Sequence, residues 1–352
     1  MPSLDTRPAL RVRPADPRTE RERILSVLAR NLPAAGTAAR YAWLYLGNPH
    51  GPARVWVAET WHGEVVGTSA AHPKRAWIDG RLHQVLDLSD FSFDVGHRCA
   101  GPALRLLRAT LAGIEPGAFT LSYDHPSPAM LALYRRLGGH DVSARRRWVR
   151  PLEVSGTLGR RLGAAGWLLG RPCDLALRVR DALRARGSCA VWRLRGPCGE
   201  EFDQLDHQLR ERTRFRVQRS SALLRWRFQR NPVARHEILC VREGGALCGY
   251  LVFRACAPRA LAIVDLLTLD DAVWAGPLID ALVALGHRRR QAAVCATVLR
   301  GSPVERLLPG HGFVARQENA GLVITAPAVP RELEAALQLP DHWWMLEGDE
   351  DV

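Results

Sequence analysis

Residues 82–113 have the sequence LHQVLDLSDFSFDVGHRCAGPALRLLRATLAG, and this stretch indicates how the first part of the chain folds. Apolar and polar residues alternate up to Phe93, as in a half-buried β-strand. After a short turn, Pro102 stands where a starting helix favours proline, and Gly113 follows the last apolar residue of a helical period. The sequence therefore predicts a strand, a small-residue turn and an amphipathic helix in direct succession.

The turn at residues 98–103 has the features of an anion site. Backbone N–H groups at the start of a helix lack internal partners and point at one spot, where the helix dipole adds positive potential. Gly101 allows a ligand to approach the backbone closely, and Pro102 removes a donor that the first helical turn could not satisfy. We expect a pyrophosphate group to bind here.

The same order of elements recurs later in the chain. The segment WLYLGNPHGPARVWVAETWHGEVVGTSAAHP from Trp43 is matched by WRFQRNPVARHEILCVREGGALCGYLVFRACAP from Trp226, with Asn-Pro at the same offset. In both copies a strand, a turn with Ala-Gly-Pro, a helix, a strand and a second helix follow. An internal repeat of this length predicts a tandem architecture.

The predicted fold class is mixed α/β, with two tandem domains that each contain a mostly antiparallel mixed sheet flanked by helices. The expected boundaries are 1–150 for the first domain, 151–200 for a helical connector, 201–330 for the second domain and 331–352 for a C-terminal tail.

The first domain resembles the GCN5-related N-acetyltransferase superfamily. Its acetyl-CoA loop has the pattern (Arg or Gln)-x-x-Gly-x-(Gly or Ala), which Arg98, Gly101 and Ala103 fill. The segment SPAMLALYRRLGG, with Tyr134 followed by Gly138, looks like the second conserved helix of that family. The resemblance covers residues 40–150 well and 220–325 loosely.

This resemblance implies an acyltransferase fold and acetyl-CoA or another acyl-CoA as co-substrate. The residues that it assigns to binding this co-substrate are Phe91, Ser92, Phe93, Arg98, Cys99, Ala100, Gly101, Pro102, Ala103 and Ser127.

Direct acyl transfer to an amine needs a route for the amine proton and an acid for the leaving thiolate. Asp90 lies eight residues before Arg98, where many family members carry a catalytic Glu, and is the candidate base, acting through water. Tyr134 is the candidate acid. Strand alternation places Asp87 on the face opposite Asp90.

Structural roles are the alternatives for both candidates. Asp90 could instead be a strand-end carboxylate paired with an arginine, since Asp265 occupies the corresponding place in the second domain. Tyr134 could be packed in the core.

The second domain is expected not to bind CoA. Asp270 and Asp271 precede Gly276 and Pro277, where the helix is expected to begin, and their carboxylates would repel phosphates. This domain would then shape the acceptor site.

The leading function is N-acyl transfer to a small amine, with an amino sugar in polysaccharide biosynthesis as one acceptor. Two alternatives remain open. One is long-chain N-acyl transfer from CoA or acyl carrier protein to an amino acid or peptide, and the other is a non-catalytic binding module.

Composition limits the other functional classes. The 352 residues carry a net charge of +13 with a single lysine, Lys74, and the arginines are spread along the chain, so nucleic-acid binding is not favoured. The eight cysteines form no CxxC pair, so no metal site is implied. Reduced thiols and a charged N-terminal segment favour a cytoplasmic protein without transmembrane segments.

Two further features have two interpretations each. The connector packs between the domains or lies as an interfacial helix on a membrane. Trp43 and Trp226 anchor their hairpins to the core or line an acceptor cleft. The tail PDHWWMLEGDEDV is expected to be a docking strand followed by a solvated acidic terminus.

Overall fold

The computed structural model describes residues 10–114, 117–185, 190–256, 258–325 and 329–350. Its strands are β1 (Arg11–Ala15), β2 (Arg54–Glu59), β3 (Val65–Ile78), β4 (Arg81–Phe93), β5 (Leu121–Asp124), β6 (His140–Pro151), β7 (Val191–Arg193), β8 (Phe215–Val217), β9 (His236–Glu243), β10 (Ala246–Cys256), β11 (Ala260–Thr268), β12 (Ala293–Leu299), β13 (Val314–Thr325) and β14 (Trp343–Trp344). Its α-helices are α1 (Arg21–Asn31), α2 (Ala38–Tyr41), α3 (Ala100–Ala112), α4 (Pro128–Arg136), α5 (Ser155–Ala185), α6 (Glu200–Gln208), α7 (Ser221–Leu224), α8 (Asp271–Arg288), α9 (Pro303–Leu307) and α10 (Arg331–Leu337).

The strands of the described residues form one sheet, in the order β1-β2-β3-β4-β5-β13-β6-β12-β11-β10-β9-β7, and β8 and β14 join it through the pairing of β8 with β3. The pairing types are the same from either end: three antiparallel pairs, one parallel pair (β4 with β5, β11 with β12) and then an antiparallel pair. The predicted mixed α/β class is confirmed.

The middle of the sheet exchanges strands between the two parts of the chain. β6 follows the first set of elements but pairs with β12, whereas β13 returns to pair with β5, and β6 and β13 pair with each other. The two predicted domains therefore share one continuous sheet.

Both faces of the sheet are covered. In β2, Val55 and Val57 belong to the apolar cluster that includes Ile24 of α1, whereas Trp56 belongs to the cluster that includes Leu106 of α3. Successive side chains of a strand point to opposite faces, so the two clusters lie on opposite sides. The part of the sheet beside the turn at residues 98–103 is thus packed from both sides.

Helix α5 is interrupted at Gly163, where φ is +65° and ψ is −148°. A side chain on Gly166 would lie 2.4 Å from the carbonyl oxygen of Leu158, and one on Gly170 would lie 2.3 Å from the Cα of Ser155. The segment before Gly163 therefore folds back on the segment after it. Among the described residues, none of the helices combines the length and apolarity that crossing a bilayer requires.

Helix α8 corrects one expectation. It begins at Asp271 rather than at Pro277, which lies inside the helix, and Gly276 is therefore not in a turn. The side chain of Asp270 accepts a hydrogen bond from the backbone N–H of Ala272 and caps the helix.

The tail also differs from expectation. β14 docks in parallel on β8, as a docking strand would. Asp349 of the acidic end is not solvated, however, because its side chain is buried and its carboxylate accepts a hydrogen bond from Arg219.

Candidate functional site

The site begins where β4 and β5 separate. Their parallel pairing ends at Leu88 and Asp124, and β4 then continues to Phe93. The pairing of β4 with β3 is irregular at this point, with Ser89 opposite Ala70 and Ser92 opposite Thr68. One residue of β3 thus faces two of β4, which is a β-bulge.

Asp90 lies in this bulge with a φ of +51°, a conformation that few non-glycine residues adopt. Because the bulge breaks the alternation of β4, Asp87 and Asp90 both line the same cavity. The expectation that they face opposite sides is wrong for this reason.

The loop cavity lies between β4 and the starts of α3 and α4 and has a volume of about 540 Å³. Seven of the predicted cofactor-binding residues line it: Phe91, Ser92, Phe93, Arg98, Cys99, Ala100 and Ala103. Gly101 and Pro102 are in the first turn of α3 outside that lining, and Ser127 lines a neighbouring cavity. The buried hydroxyl of Ser92 has no hydrogen-bond partner among the described residues.

The predicted turn and helix start at residues 98–103 are present. Helix α3 begins at Ala100 after Cys99, whose side chain makes no capping hydrogen bond. A side chain added at Gly101 would meet nothing within 4 Å, so the fold itself does not require glycine there. The space beside the first turn of α3 is open to a ligand.

Arg98 links this turn to α1. Its Nε donates to the carbonyl oxygen of Phe93 at 2.8 Å, and its Nη2 donates to the Oδ1 of Asn31 at 3.1 Å. The guanidinium is exposed and held beside the loop cavity, where it would add positive charge.

The carboxylate cavity is larger, about 700 Å³, and adjoins the loop cavity. Asn31, Leu32, Phe91 and Met130 line both. Its polar lining comes from β4, the end of β5, β6 and the tail, and includes Asp87, Asp90, Asp124, His125, Arg145 and Glu350. Val233, which belongs to the second part of the chain, also contributes to it.

The carboxylate of Asp90 is held by two side chains. Arg40 donates to both oxygens, at 2.8 and 3.2 Å, and the hydroxyl of Tyr45 donates to Oδ2 at 2.7 Å. Asp265 has partners of the same types, Arg219 and Tyr250.

Tyr134 is buried and does not line either cavity within the described residues. Its hydroxyl donates to the carboxylate of Asp124 at 2.6 Å. Burial and this carboxylate hold the pKa of Tyr134 well above its usual range. Tyr134 therefore contacts the carboxylate cavity through Asp124.

Glu350 is a site residue that the sequence did not indicate. Its carboxylate lines the carboxylate cavity and forms an ion pair with Arg145 at 2.5 Å. Burial raises the pKa of Glu350 to about 8, although Arg145 acts in the opposite direction. A carboxyl group with such a pKa can exchange a proton near neutral pH.

His125 lies in the same cavity. Burial lowers the pKa of His125 well below its usual value, and the nearby charges of Arg145 and Lys74 lower it further. Its imidazole is therefore neutral at pH 7.

In the second part of the chain, the start of the corresponding helix, α8, lines neither of the two cavities described above. Asp270 caps α8, and the carboxylate of Asp271 accepts hydrogen bonds from Arg212 and from the hydroxyl of Thr268. These carboxylates occupy the place that an anionic ligand would take.

Comparisons with family models and with curated proteins return no match. Solved structures do match. A probable N-acyltransferase from Enterococcus faecalis has a TM-score of 0.60 at 13% identity, over 90% of this chain and 72% of that one. A GCN5-related N-acetyltransferase from Anabaena variabilis has a TM-score of 0.61 at 16% identity, over 90% of this chain and 73% of that one. The chain has the fold of the GCN5-related N-acetyltransferases.

N-Myristoyltransferase from Saccharomyces cerevisiae, solved with bound myristoyl-CoA, also matches this chain. The match covers a larger share of that enzyme's own length than the matches to the two structures above. Its TM-score is 0.56 at 10% identity, covering 97% of this chain and 90% of that one. The expected acetyltransferase-like fold is confirmed.

Proposed function

We propose that this chain is an N-acyltransferase that binds an acyl-CoA in the loop cavity and an amine in the carboxylate cavity. The observation that carries this proposal is the pair of adjoining cavities, one at an open helix start and the other lined by proton-exchanging groups. An amine and a thioester held in them would meet near Phe91, which lines both.

The loop cavity suits the CoA end of the substrate. The open first turn of α3 would bind the pyrophosphate, with Arg98 beside it. The edge of β4 beyond Leu88 would hydrogen-bond the pantetheine amides, as an added strand would. Phe91 and Phe93 would pack against its apolar atoms.

In the transfer, the amine nitrogen bonds to the thioester carbonyl carbon, the C–S bond breaks, and CoA leaves as the thiolate. The nitrogen must lose one proton, and the thiolate takes one up. Holding the reactants together supplies about 7–11 kcal/mol of the barrier reduction, and a general base adds roughly 10²–10⁴-fold.

Two carboxylates can accept the amine proton. Asp90 is the candidate from sequence, but Arg40 and Tyr45 bind its oxygens. Glu350 lies in the same cavity, and burial raises its pKa to about 8 despite its ion pair with Arg145, so we assign the amine proton to Glu350. Asp90 then holds Arg40 at the cavity wall. The role of Tyr134 as the acid that protonates the leaving thiolate stays a prediction.

We further propose that the second part of the chain does not bind CoA, because Asp270 caps α8 and the carboxylate of Asp271 lies in its first turn. Long-chain transfer is the second candidate function. The yeast relative of the fold, N-myristoyltransferase, holds myristoyl-CoA, and the loop cavity has apolar walls that include Leu32, Phe93 and Leu133.

A thermal-unfolding panel with acetyl-CoA, myristoyl-CoA and free CoA tests the proposal. A ligand at 100 times its Kd stabilises the folded chain by about 2.7 kcal/mol. The acyl-CoA with the larger shift indicates the acyl length, and release of free thiol on adding amines distinguishes an enzyme from a binding module. If none of the three raises the unfolding temperature, the proposal is wrong.

A further inference from the structure

The large apolar side chains of helix α5 face solvent, whereas a helix packed on a protein core normally buries them. After the break at Gly163, the inward side of α5 is buried at Gly166, Gly170, Asp174 and Asp181, and the two glycines pack on residues 155–162 of the same helix. These residues are small or acidic. A surface helix normally turns its apolar stripe inward and its polar residues to solvent.

The apolar residues of α5 lie on the opposite side. Leu168, Leu175, Val179 and Leu183 follow a helical spacing and are 63, 64, 51 and 60% exposed. Leu168 and Gly166 are two residues apart, which is about 200° around a helix of 3.6 residues per turn. The exposed large apolar residues of this helix also include Leu162, Trp167 and Leu169.

Arginines accompany this apolar face. Residues 155–185 contain Arg160, Arg161, Arg171, Arg178, Arg180 and Arg184. The two acidic residues of this range form their contacts on the inward side of the helix. Asp174 accepts hydrogen bonds from the backbone N–H groups of Val154 and Ser155, and Asp181 pairs with Arg150. Arg171 and Arg178 lie within about 60° of Leu175 around the helix and so border the apolar face. Arg180 instead pairs with Asp181.

We propose that α5 lies on the surface of an anionic phospholipid bilayer, with Leu168, Leu175 and Val179 inserted at the acyl-chain boundary and its arginines at the lipid phosphates. An in-plane amphipathic helix of this composition is bound by apolar burial together with attraction to anionic headgroups. A second copy of the chain fits less well, because two such faces would bring arginines together.

Vesicle co-sedimentation of the full chain tests this surface, using phosphatidylcholine alone or phosphatidylcholine with phosphatidylglycerol. We expect binding to the anionic vesicles that weakens as salt is raised. The variant Leu168→Glu/Leu175→Glu should reduce that binding at least about tenfold. The variant Leu82→Glu/Leu339→Glu is the matched control, since both leucines are exposed elsewhere on the chain.

Charge and apolar contributions are separated by Arg171→Gln/Arg178→Gln, which should weaken binding and reduce its salt dependence. Unchanged thermal unfolding shows that each variant is folded. The proposal is overturned if the wild-type chain does not bind anionic vesicles, or if both leucine variants bind equally. A concentration-dependent dimer that Leu168→Glu/Leu175→Glu abolishes, without vesicle binding, would assign the face to a second copy instead.

Discussion

The indole N–H of Trp43 donates to the carbonyl oxygen of Trp226 at 2.9 Å, and the indole N–H of Trp226 donates to the carbonyl oxygen of Trp43 at 3.1 Å. The two rings stack with centroids 4.9 Å apart. Each tryptophan therefore makes the same hydrogen bond to the other, and such a reciprocal contact is typical of a two-fold relationship. Both rings are buried in the core, so they anchor their segments and lie outside the lining of the two site cavities.

We expect this pair to couple the two parts of the chain energetically. Trp43→Phe and Trp226→Phe should each destabilise the fold by about 1–3 kcal/mol, because a buried carbonyl loses its donor. The double variant should cost less than the sum of the two, by about 0.5–1.5 kcal/mol. Urea unfolding measures these values, with Trp61→Phe as an exposed control, and strict additivity would contradict the coupling.

Local signals account for what could be predicted from the sequence. Pro102 and the apolar period after it are contained in one short stretch, so the turn and the start of α3 were predictable. At α8, Ala-Gly-Pro suggested a start at Pro277, but the capping carboxylate of Asp270 sets the start earlier and Pro277 is accommodated inside the helix.

Long-range features had no such signal. Alternation predicts that β6 and β13 are strands but does not name their partners, so the exchange between the two parts of the chain was not predictable. The side of the sheet that Asp90 faces depends on a bulge, and the position of Glu350 depends on the docking of β14. A charged tail carries no pattern that would place it in a cavity.

Gly101→Glu should abolish stabilisation by acyl-CoA. The new side chain enters open space, so the fold should survive, while its charge and bulk oppose a pyrophosphate at the start of α3. Gly196→Glu is the matched control, since a side chain there also meets nothing within 4 Å. Loss of the thermal shift with Gly276→Glu but not with Gly101→Glu would move the CoA site to the second part of the chain.

Lys74→Met should destabilise the chain by about 3–5 kcal/mol, because it removes the cation from a buried ion pair. The Nζ of Lys74 donates to Asp87 at 2.6 Å and to the backbone carbonyl of Asp349 at 2.6 Å. Arg135→Met, which breaks an exposed pair with Asp141, should cost less than about 1 kcal/mol. Urea unfolding compares the two, and Lys74→Met/Asp87→Leu should recover part of the loss.

Glu350→Gln should lower kcat by about 10²–10⁴-fold with little change in acyl-CoA affinity, if Glu350 takes the amine proton. The wild-type rate should rise with pH up to about 8, since only the ionised carboxylate accepts a proton. The pH–rate profiles of Glu350→Gln and Asp90→Asn decide the assignment. A profile that keeps this rise in Glu350→Gln and loses it in Asp90→Asn would identify Asp90 as the base.

The stability of the chain should also depend on Glu350 as pH rises. The folded chain holds the Glu350 proton up to a pKa of about 8, whereas the unfolded chain releases it near the ordinary value of 4.5. The folded state therefore binds more protons between these pH values, and the free energy of unfolding contributed by Glu350 falls as pH increases through this window. Glu350→Gln does not titrate, so its stability relative to wild type should increase from pH 5 to pH 9 and then level off. Urea unfolding of both chains at several pH values measures the difference. A difference that is the same at every pH would mean that Glu350 has an ordinary pKa in the folded chain, and the proton route assigned to it would then lose its basis.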